Sequence, residues 1–464
     1  MPPHCRYNAP MARDFRDYTS GSIGGAIWRL SLPIVVSNAA HIVVGLTDAF
    51  WVARLPGDLG TKSMASVVMA GQVMFLLASV FMGISAASAA LVARAIGAKD
   101  NDRADHVAAQ AIVLTVAVSV VLGIVGYILT PWLLTTLGAE DDVIALGTGY
   151  LRISFLGVFA MFALFVGSGI LRGAGDATTP LVIMLVAAAV NIGLDPILIR
   201  GYLGFPALGV SGAAIATVAS RLVAFTYGAF VLMGGKLRVR LHLRAFRFDP
   251  AVLGKLVVIG FPASVQMSLR AVMGVVLVGV ASGFGTAVIA AFGIGMRISH
   301  IAFMPTFGIG QASAALVGQN LGAGKPERAS RSAVVSAAAA VFIMGSFAVI
   351  FSAFAPELIG IFKKDPAVLD AGISFLRIRA PGLLFAAVGI VLGRSIGGAG
   401  DTFPTMIFTV VALWFVQVPV AVWLSGFPAL AETGIWWAGV VASVANVLMT
   451  GPYFASGRWK QRKV

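Results

Sequence analysis

Long apolar runs alternate with short polar connections along almost the whole chain. Runs long enough to cross a bilayer, about 20 residues each, start near Ile27, Met64, Val107, Ile144, Pro180 and Gly209. A second set starts near Leu253, Thr286, Ala333, Ala371, Pro404 and Gly434. This pattern predicts an all-α polytopic membrane protein with twelve transmembrane helices. The long run from Ala271 to Phe307 has to be cut near Gly283–Gly285 to fit it.

The pattern is also written twice. Residues 83–104 recur at 308–329, an offset of 225, with 12 of 22 positions identical. At the same offset Leu151-Arg152-Ile153 returns as Leu376-Arg377-Ile378, and Gly173-Ala174-Gly175-Asp176 as Gly398-Ala399-Gly400-Asp401. Two six-helix bundles follow. Six crossings per half bring both halves into the membrane in the same sense, so their pseudo-two-fold axis lies along the membrane normal. The expected divisions are a tail (1–20), a first lobe (21–234), a linker (235–252), a second lobe (253–457) and a second tail (458–464). A duplicated membrane chain of this kind is expected to carry its substrate path between the halves.

Composition agrees with the pattern. Hydrophobic residues make up 59% and charged residues 11%, against about 25% charged in soluble domains. The net charge of +14 would suit nucleic acid, but its placement argues against that partner. With both termini cytoplasmic, the connecting segments put 21 Lys and Arg on the cytoplasmic side. Only Arg54, Lys62, Arg200, Lys363 and Lys364 fall opposite. This positive-inside bias predicts a multi-pass protein of the inner (cytoplasmic) membrane. The single cysteine, Cys5, leaves no intrachain disulfide. The tail lacks the apolar core and cleavage site of a signal peptide, and Met11 is a second candidate start.

Of 19 acidic residues, only Asp48 and Asp195 lie within spans. A carboxylate at mid-helix depth costs about 2.5–3.5 kcal/mol on insertion scales, so such residues normally face a cavity and have a task. The duplication sharpens the point. Pairing Pro33 with Pro262 places Leu277 opposite Asp48, and pairing Pro196 with Pro419 places Val418 opposite Asp195 and Trp414 opposite Asn191. The shared prolines and glycine elbows therefore read as scaffold, and the unshared acids as function.

Asn191 and Asp195 are four apart and share one helix face. If the first span meets the fifth, Asp48 joins them. Two carboxylates in one poorly solvated site do not both stay ionised cheaply, so the cluster would hold a proton. Its oxygens would equally suit a sodium ion, and the choice between H+ and Na+ stays open. Thr217 could turn its hydroxyl to the same cluster. His41, seven residues before Asp48 on the same face, joins Asn38 and Arg270 as a candidate lining the substrate cavity. Arg270, Arg297 and Arg221 are expected as buried cations, and Pro33 as a hinge.

Enzyme signatures fail. Gly-Ala-Gly-Asp occurs twice at helix ends without the partner motif of an intramembrane aspartyl protease. Gly322-Ala323-Gly324-Lys325 is followed by Pro326 where a phosphate loop needs Ser or Thr. No metal-spaced Cys/His set and no resident cofactor are expected. With no ATP site, transport would draw on an ion gradient.

At these residues the chain resembles the multidrug and toxic compound extrusion (MATE) family, from about Gly21 to Gly457. The likeness rests on the duplicated spans, Thr47-Asp48-Ala49-Phe50-Trp51, the repeated Gly-Ala-Gly-Asp elbow and Asn191-x-x-x-Asp195. The expected partners of this chain are small-molecule drugs and toxins and membrane lipids, with the protein itself a monomer. The resemblance implies an exporter of organic cations and other drugs in exchange for protons or sodium. It implies that Asp48, Asn191, Asp195 and Thr217 match the amino-terminal cation site of the DinF-like branch, and Pro33 the bend of its first helix. Two positions depart. Arg270 stands where the NorM-like branch has a glutamate, and Val44 where the DinF-like branch often has a tyrosine. A lipid-linked oligosaccharide flippase of the same superfamily is the alternative, kept open by Arg270, Arg297 and Arg221.

Overall fold

The computed structural model describes residues 17–234, 237–240 and 247–462. Cys5, Met1 and Met11 lie outside them. The first lobe comprises α1 (Ile23–Ala53), α2 (Asp58–Gly97), α3 (Asn101–Thr136), α4 (Asp141–Leu156), α5 (Val158–Gly173), α6 (Thr178–Arg200) and α7 (Gly209–Met233). The second comprises α8 (Pro250–Ser282), α9 (Thr286–Gly322), α10 (Pro326–Ala353), α11 (Ala355–Gly360), α12 (Pro366–Gly398), α13 (Thr402–Val410), α14 (Val418–Ser425) and α15 (Thr433–Ala455). No strand occurs among the described residues.

Among the described residues, eleven segments are long and apolar enough to cross a membrane, and twelve when α4 and α5 count as one span bent by 53° at Gly157. The predicted cut falls where expected, between Ser282 and Thr286. The helices stop where the chain supplies the chemistry to stop them. Asp100, Asp249 and Asp365 accept backbone N–H bonds at the starts of α3, α8 and α12, satisfying donors that a helix leaves free. Proline opens α8, α10 and α12, where its missing N–H costs nothing. Large apolar side chains such as Ile128, Phe230, Phe342 and Phe415 stand exposed on the outer helix faces, as a lipid-facing surface requires. The chain is a multi-pass membrane protein.

The repeated segment proves to be the seam between the lobes. A Cβ on Gly97 would lie 2.0 Å from the Gln319 carbonyl oxygen, and one on Gly322 would lie 2.1 Å from that of Arg94. Since 94 and 319, like 97 and 322, are related by the repeat offset, α2 and α9 cross reciprocally about the pseudo-two-fold. Further along, Gly83 of α2 meets Gly260 and Ser264 of α8, and Gly308 of α9 meets Ser31 and Val35 of α1. Polar bonds repeat the symmetry. Arg94 Nη2 donates to the Ala399 carbonyl at 2.9 Å, and Gln319 Nε2 donates to the Gly173 carbonyl at 2.9 Å. Small residues let the backbones approach this closely, the usual solution for helix packing in lipid.

This seam lies toward the side bearing the arginine- and lysine-rich connections. Among the described residues, interlobe hydrogen bonds extend from the basic side only as far as Ser79–Ser268, at 2.6 Å. Toward the opposite side no interlobe hydrogen bond occurs among the described residues. Part of the linker is packed rather than loose: Leu237 and Val239 are buried against the first lobe, and the Arg240 N–H donates to Asp105 Oδ1 at 2.7 Å.

The Gly-Ala-Gly-Asp elbows have structural partners. Asp176 accepts from the backbone N–H groups of Thr178 and Thr179 at the start of α6. Asp401 accepts the Tyr453 phenol.

Candidate functional site

Three helices of the first lobe converge near their non-basic ends. α1 packs along α6, and α6 along α7. The contact brings Asp48, Asn191, Asp195 and Thr217 into one cluster. Asn191 Nδ2 is 3.4 Å from both Asp195 Oδ1 and Thr217 Oγ1. Thr217 Oγ1 in turn donates to Asp48 Oδ2 at 3.3 Å. Asn191 and Asp195 are fully buried, and Asp48 is 9% exposed. Thr47, the neighbour of Asp48, turns away and bonds the Val43 carbonyl at 3.0 Å.

The cluster is short of donors. Asp48 Oδ1, Asn191 Oδ1 and Asp195 Oδ2 are buried without a hydrogen-bond partner. Buried acceptors are nearly always satisfied, and leaving one unpaired costs about 1–3 kcal/mol, more when charged. Unpaired oxygens on three adjoining side chains, with the Asp48 and Asp195 carboxyls against each other, suit a species that brings positive charge or a donor: a proton on a carboxylate, or a small hard cation. Among the described residues, no group of three His, Cys, Asp or Glu is arranged to hold a metal ion. A sodium ion would therefore depend on the neutral oxygens of Asn191 and Thr217 as well.

Arg221 and Tyr150 also belong to this neighbourhood. Arg221, one turn beyond Thr217 on α7, lies within electrostatic range of Asp48, His41 and Tyr150. Its Nη1 donates to Met161 Sδ, a neutral and weak acceptor. Tyr150 of α4 interacts with Asp48 and Asp195. The i, i+4 spacing of Thr217 and Arg221 was a usable sequence signal for the arginine. Nothing local in the sequence pointed to Tyr150.

The remaining candidates lie on α1, α8 and α9. His41 is exposed on α1 and Asn38 half-buried. Arg270 of α8 is half-buried and stands at the repeat position of His41. Arg297 is exposed on α9 rather than buried as expected, because it falls on a face of α9 that nothing covers. Pro33 sits within an unbroken α1 and is half-buried.

Known proteins match this architecture along its length. The sequence profile of the MatE family matches residues 33–197 and again 262–423, one match per lobe. The probable multidrug resistance protein YoeA of Bacillus subtilis (strain 168) is 28% identical over 451 residues, covering 95% of this chain and 96% of that protein. An FAD transporter of Shewanella oneidensis is 29% identical over 383 residues, covering 82% and 83%. A crystal structure of a MATE protein in the bent conformation superposes with a TM-score of 0.87 at 27% identity, covering 95% of this chain and 96% of that one. With both halves matched by one profile and the whole fold shared, the chain belongs to the MatE family of membrane transporters.

Proposed function

We propose that the protein is a cation-coupled multidrug efflux antiporter, with the proton favoured over sodium as coupling ion. It exports lipophilic, mostly cationic compounds by alternating access, without ATP, as a monomer in the inner membrane with both termini cytoplasmic. The observation that carries this reading is the Asp48–Asn191–Asp195–Thr217 cluster with its three unpartnered buried oxygens. Relatives named as multidrug resistance proteins support the substrate class.

In the proposed cycle the outward-open state keeps the basic seam closed on the cytoplasmic side. An external proton neutralises the cluster and substrate leaves. Closure of the cleft, with Pro33 as the point of flexure, carries the proton inward. Loss of that proton restores a negative pocket that favours a cation. One charge moved through 100 mV supplies about 2.3 kcal/mol before any pH gradient is added.

The test is dye transport in proteoliposomes under imposed pH or sodium gradients. Wild-type flux should follow the pH gradient, and Asp48→Asn and Asp195→Asn should uncouple it. Unchanged gradient-driven flux in both variants would falsify the coupling role.

A further inference from the structure

Away from the acid cluster, the inner helices bring together three arginines with no carboxylate among them. Arg172 lies at the end of α5, Arg270 midway along α8 and Arg394 one turn before the end of α12. Arg172 Nη1 donates to Gln311 Oε1 of α9, and its Nε donates to the Ser168 carbonyl at 3.0 Å. Arg394 Nη2 lies 3.9 Å from Met267 Sδ, one turn before Arg270 on α8. Arg394 is within electrostatic range of both Arg172 and Arg270. All three are half-buried. Among the described residues, none forms an ion pair.

The duplication indicates that this arrangement is no inheritance from the scaffold. Arg394 stands at the repeat position of Gly169, and Gly310 at that of Ser85. In the first lobe Gly169 makes room for Ser85: a Cβ there would lie 2.2 Å from Ser85 Oγ. In the second lobe the roles reverse, and a Cβ on Gly310 would lie 3.2 Å from Arg394 Cγ. The same helix crossing has been rebuilt to admit a cation. Arg172 likewise has Gly397 at its repeat position, so the second lobe has no copy of it.

Enclosed charges are normally paired, and Arg394 is within range of both other cations, so the group repels itself. Among the described residues, their hydrogen-bond acceptors are neutral: the Gln311 amide, the Ser168 carbonyl and the Met267 sulfur. We propose that Arg172, Arg270 and Arg394, with Gln311 holding the first in place, form an anion subsite between the lobes that takes the carboxylate or phosphate of a transported molecule. Guanidinium groups grip such planar or tetrahedral oxyanions through paired N–H bonds. Cargo carrying a negative group, including zwitterions, gains affinity from this site, and a simple cation does not. The proposal rests on the transport reading for its cargo, but not on ion coupling by Asp48 and Asp195.

Equilibrium binding separates the two. The full-length protein in neutral detergent is titrated with rhodamine 110, which carries a free carboxylate, and with its methyl ester, rhodamine 123, by fluorescence anisotropy. Wild type should bind the acid about tenfold or more tightly than the ester, one charge-assisted contact's worth. In Arg270→Gln and Arg394→Gln that ratio should fall toward one. A wild-type ratio of one overturns the proposal without any variant, so misfolding of a variant does not shield it. A phosphate assay of co-purified lipid distinguishes a headgroup from cargo. Anionic phospholipid retained by wild type and lost in both variants, with no acid preference for the dye, overturns the cargo assignment in favour of lipid. Asp48→Asn should keep the acid preference, so failure of the coupling mechanism leaves a different signature.

Discussion

The two lobes share a backbone plan, yet their corresponding interiors are chemically opposite. At the first lobe's cluster the chain places Asp48, Asn191, Asp195, Thr217, Tyr150 and Arg221. At the same repeat positions in the second lobe stand Leu277, Trp414, Val418, Gly439, Phe375 and Ser443. Phe375 packs edge-on to Phe292 and Trp436, with centroids 5.9 and 5.0 Å away, while Phe292 and Trp436 stack at 5.7 Å. Residues 411–417 of the second lobe, where the counterpart of α6 passes, form a π-helical turn between α13 and α14. One lobe thus gathers two carboxylates with unpartnered oxygens, whereas the other fills the corresponding space with aromatic rings, leaving the Trp414 and Trp436 indole N–H groups unpartnered. The lesson is that symmetry here serves the seam, and function lies where symmetry is broken.

The comparison breaks most severely at the acids. Asp48→Asn and Asp195→Asn should abolish the thermodynamic link between ion and substrate, typically about 1–3 kcal/mol, as read by substrate binding at two pH values. Leu277→Asn, the mirror change in the second lobe, should leave that link intact. Next comes the aromatic core. Trp436→Ala should lower stability by about 3–5 kcal/mol in detergent melting experiments, while pH-dependent binding persists.

The seam offers a symmetric control. Gly97→Val and Gly322→Val each force a side chain against a backbone carbonyl and should each cost about 1–3 kcal/mol. Nearly equal losses would support the reciprocal crossing, and a large inequality would contradict it. The smallest effect is at Asp249. The Val252 backbone N–H and then His106, 3.1 Å away, hold its carboxyl below the usual range. Its folded value lies under the unfolded one, so its stabilisation is present above about pH 3.9 and is lost as pH falls through the folded value. Asp249→Asn should flatten the acid side of the melting profile by about a degree.

Much of this was legible in the chain because burial in lipid leaves few options. Apolar runs must be helices that satisfy their own backbones, so the spans and the cut between Ser282 and Thr286 followed directly. Asp48 and Asp195 stood out because a carboxylate in a span is costly. The 53° break at Gly157 was not legible, since periodicity does not reveal a bend. Tyr150 escaped notice because it meets the acids only through packing of α4 against α7. Arg297 misled because a charge within an apolar run does not tell which face it occupies.

The amino-acid order by itself determined the number of spans, their duplication and the presence of two costly carboxylates. These depend on local hydrophobicity and on comparing the chain with itself. Only the tertiary structure decided that α1, α6 and α7 converge on one pocket, that the repeated glycines form the closed seam, and that three arginines meet without a counter-ion. Each of those facts depends on which helix faces contact one another across long stretches of sequence, and side-chain spacing within a single helix carries no record of its neighbour.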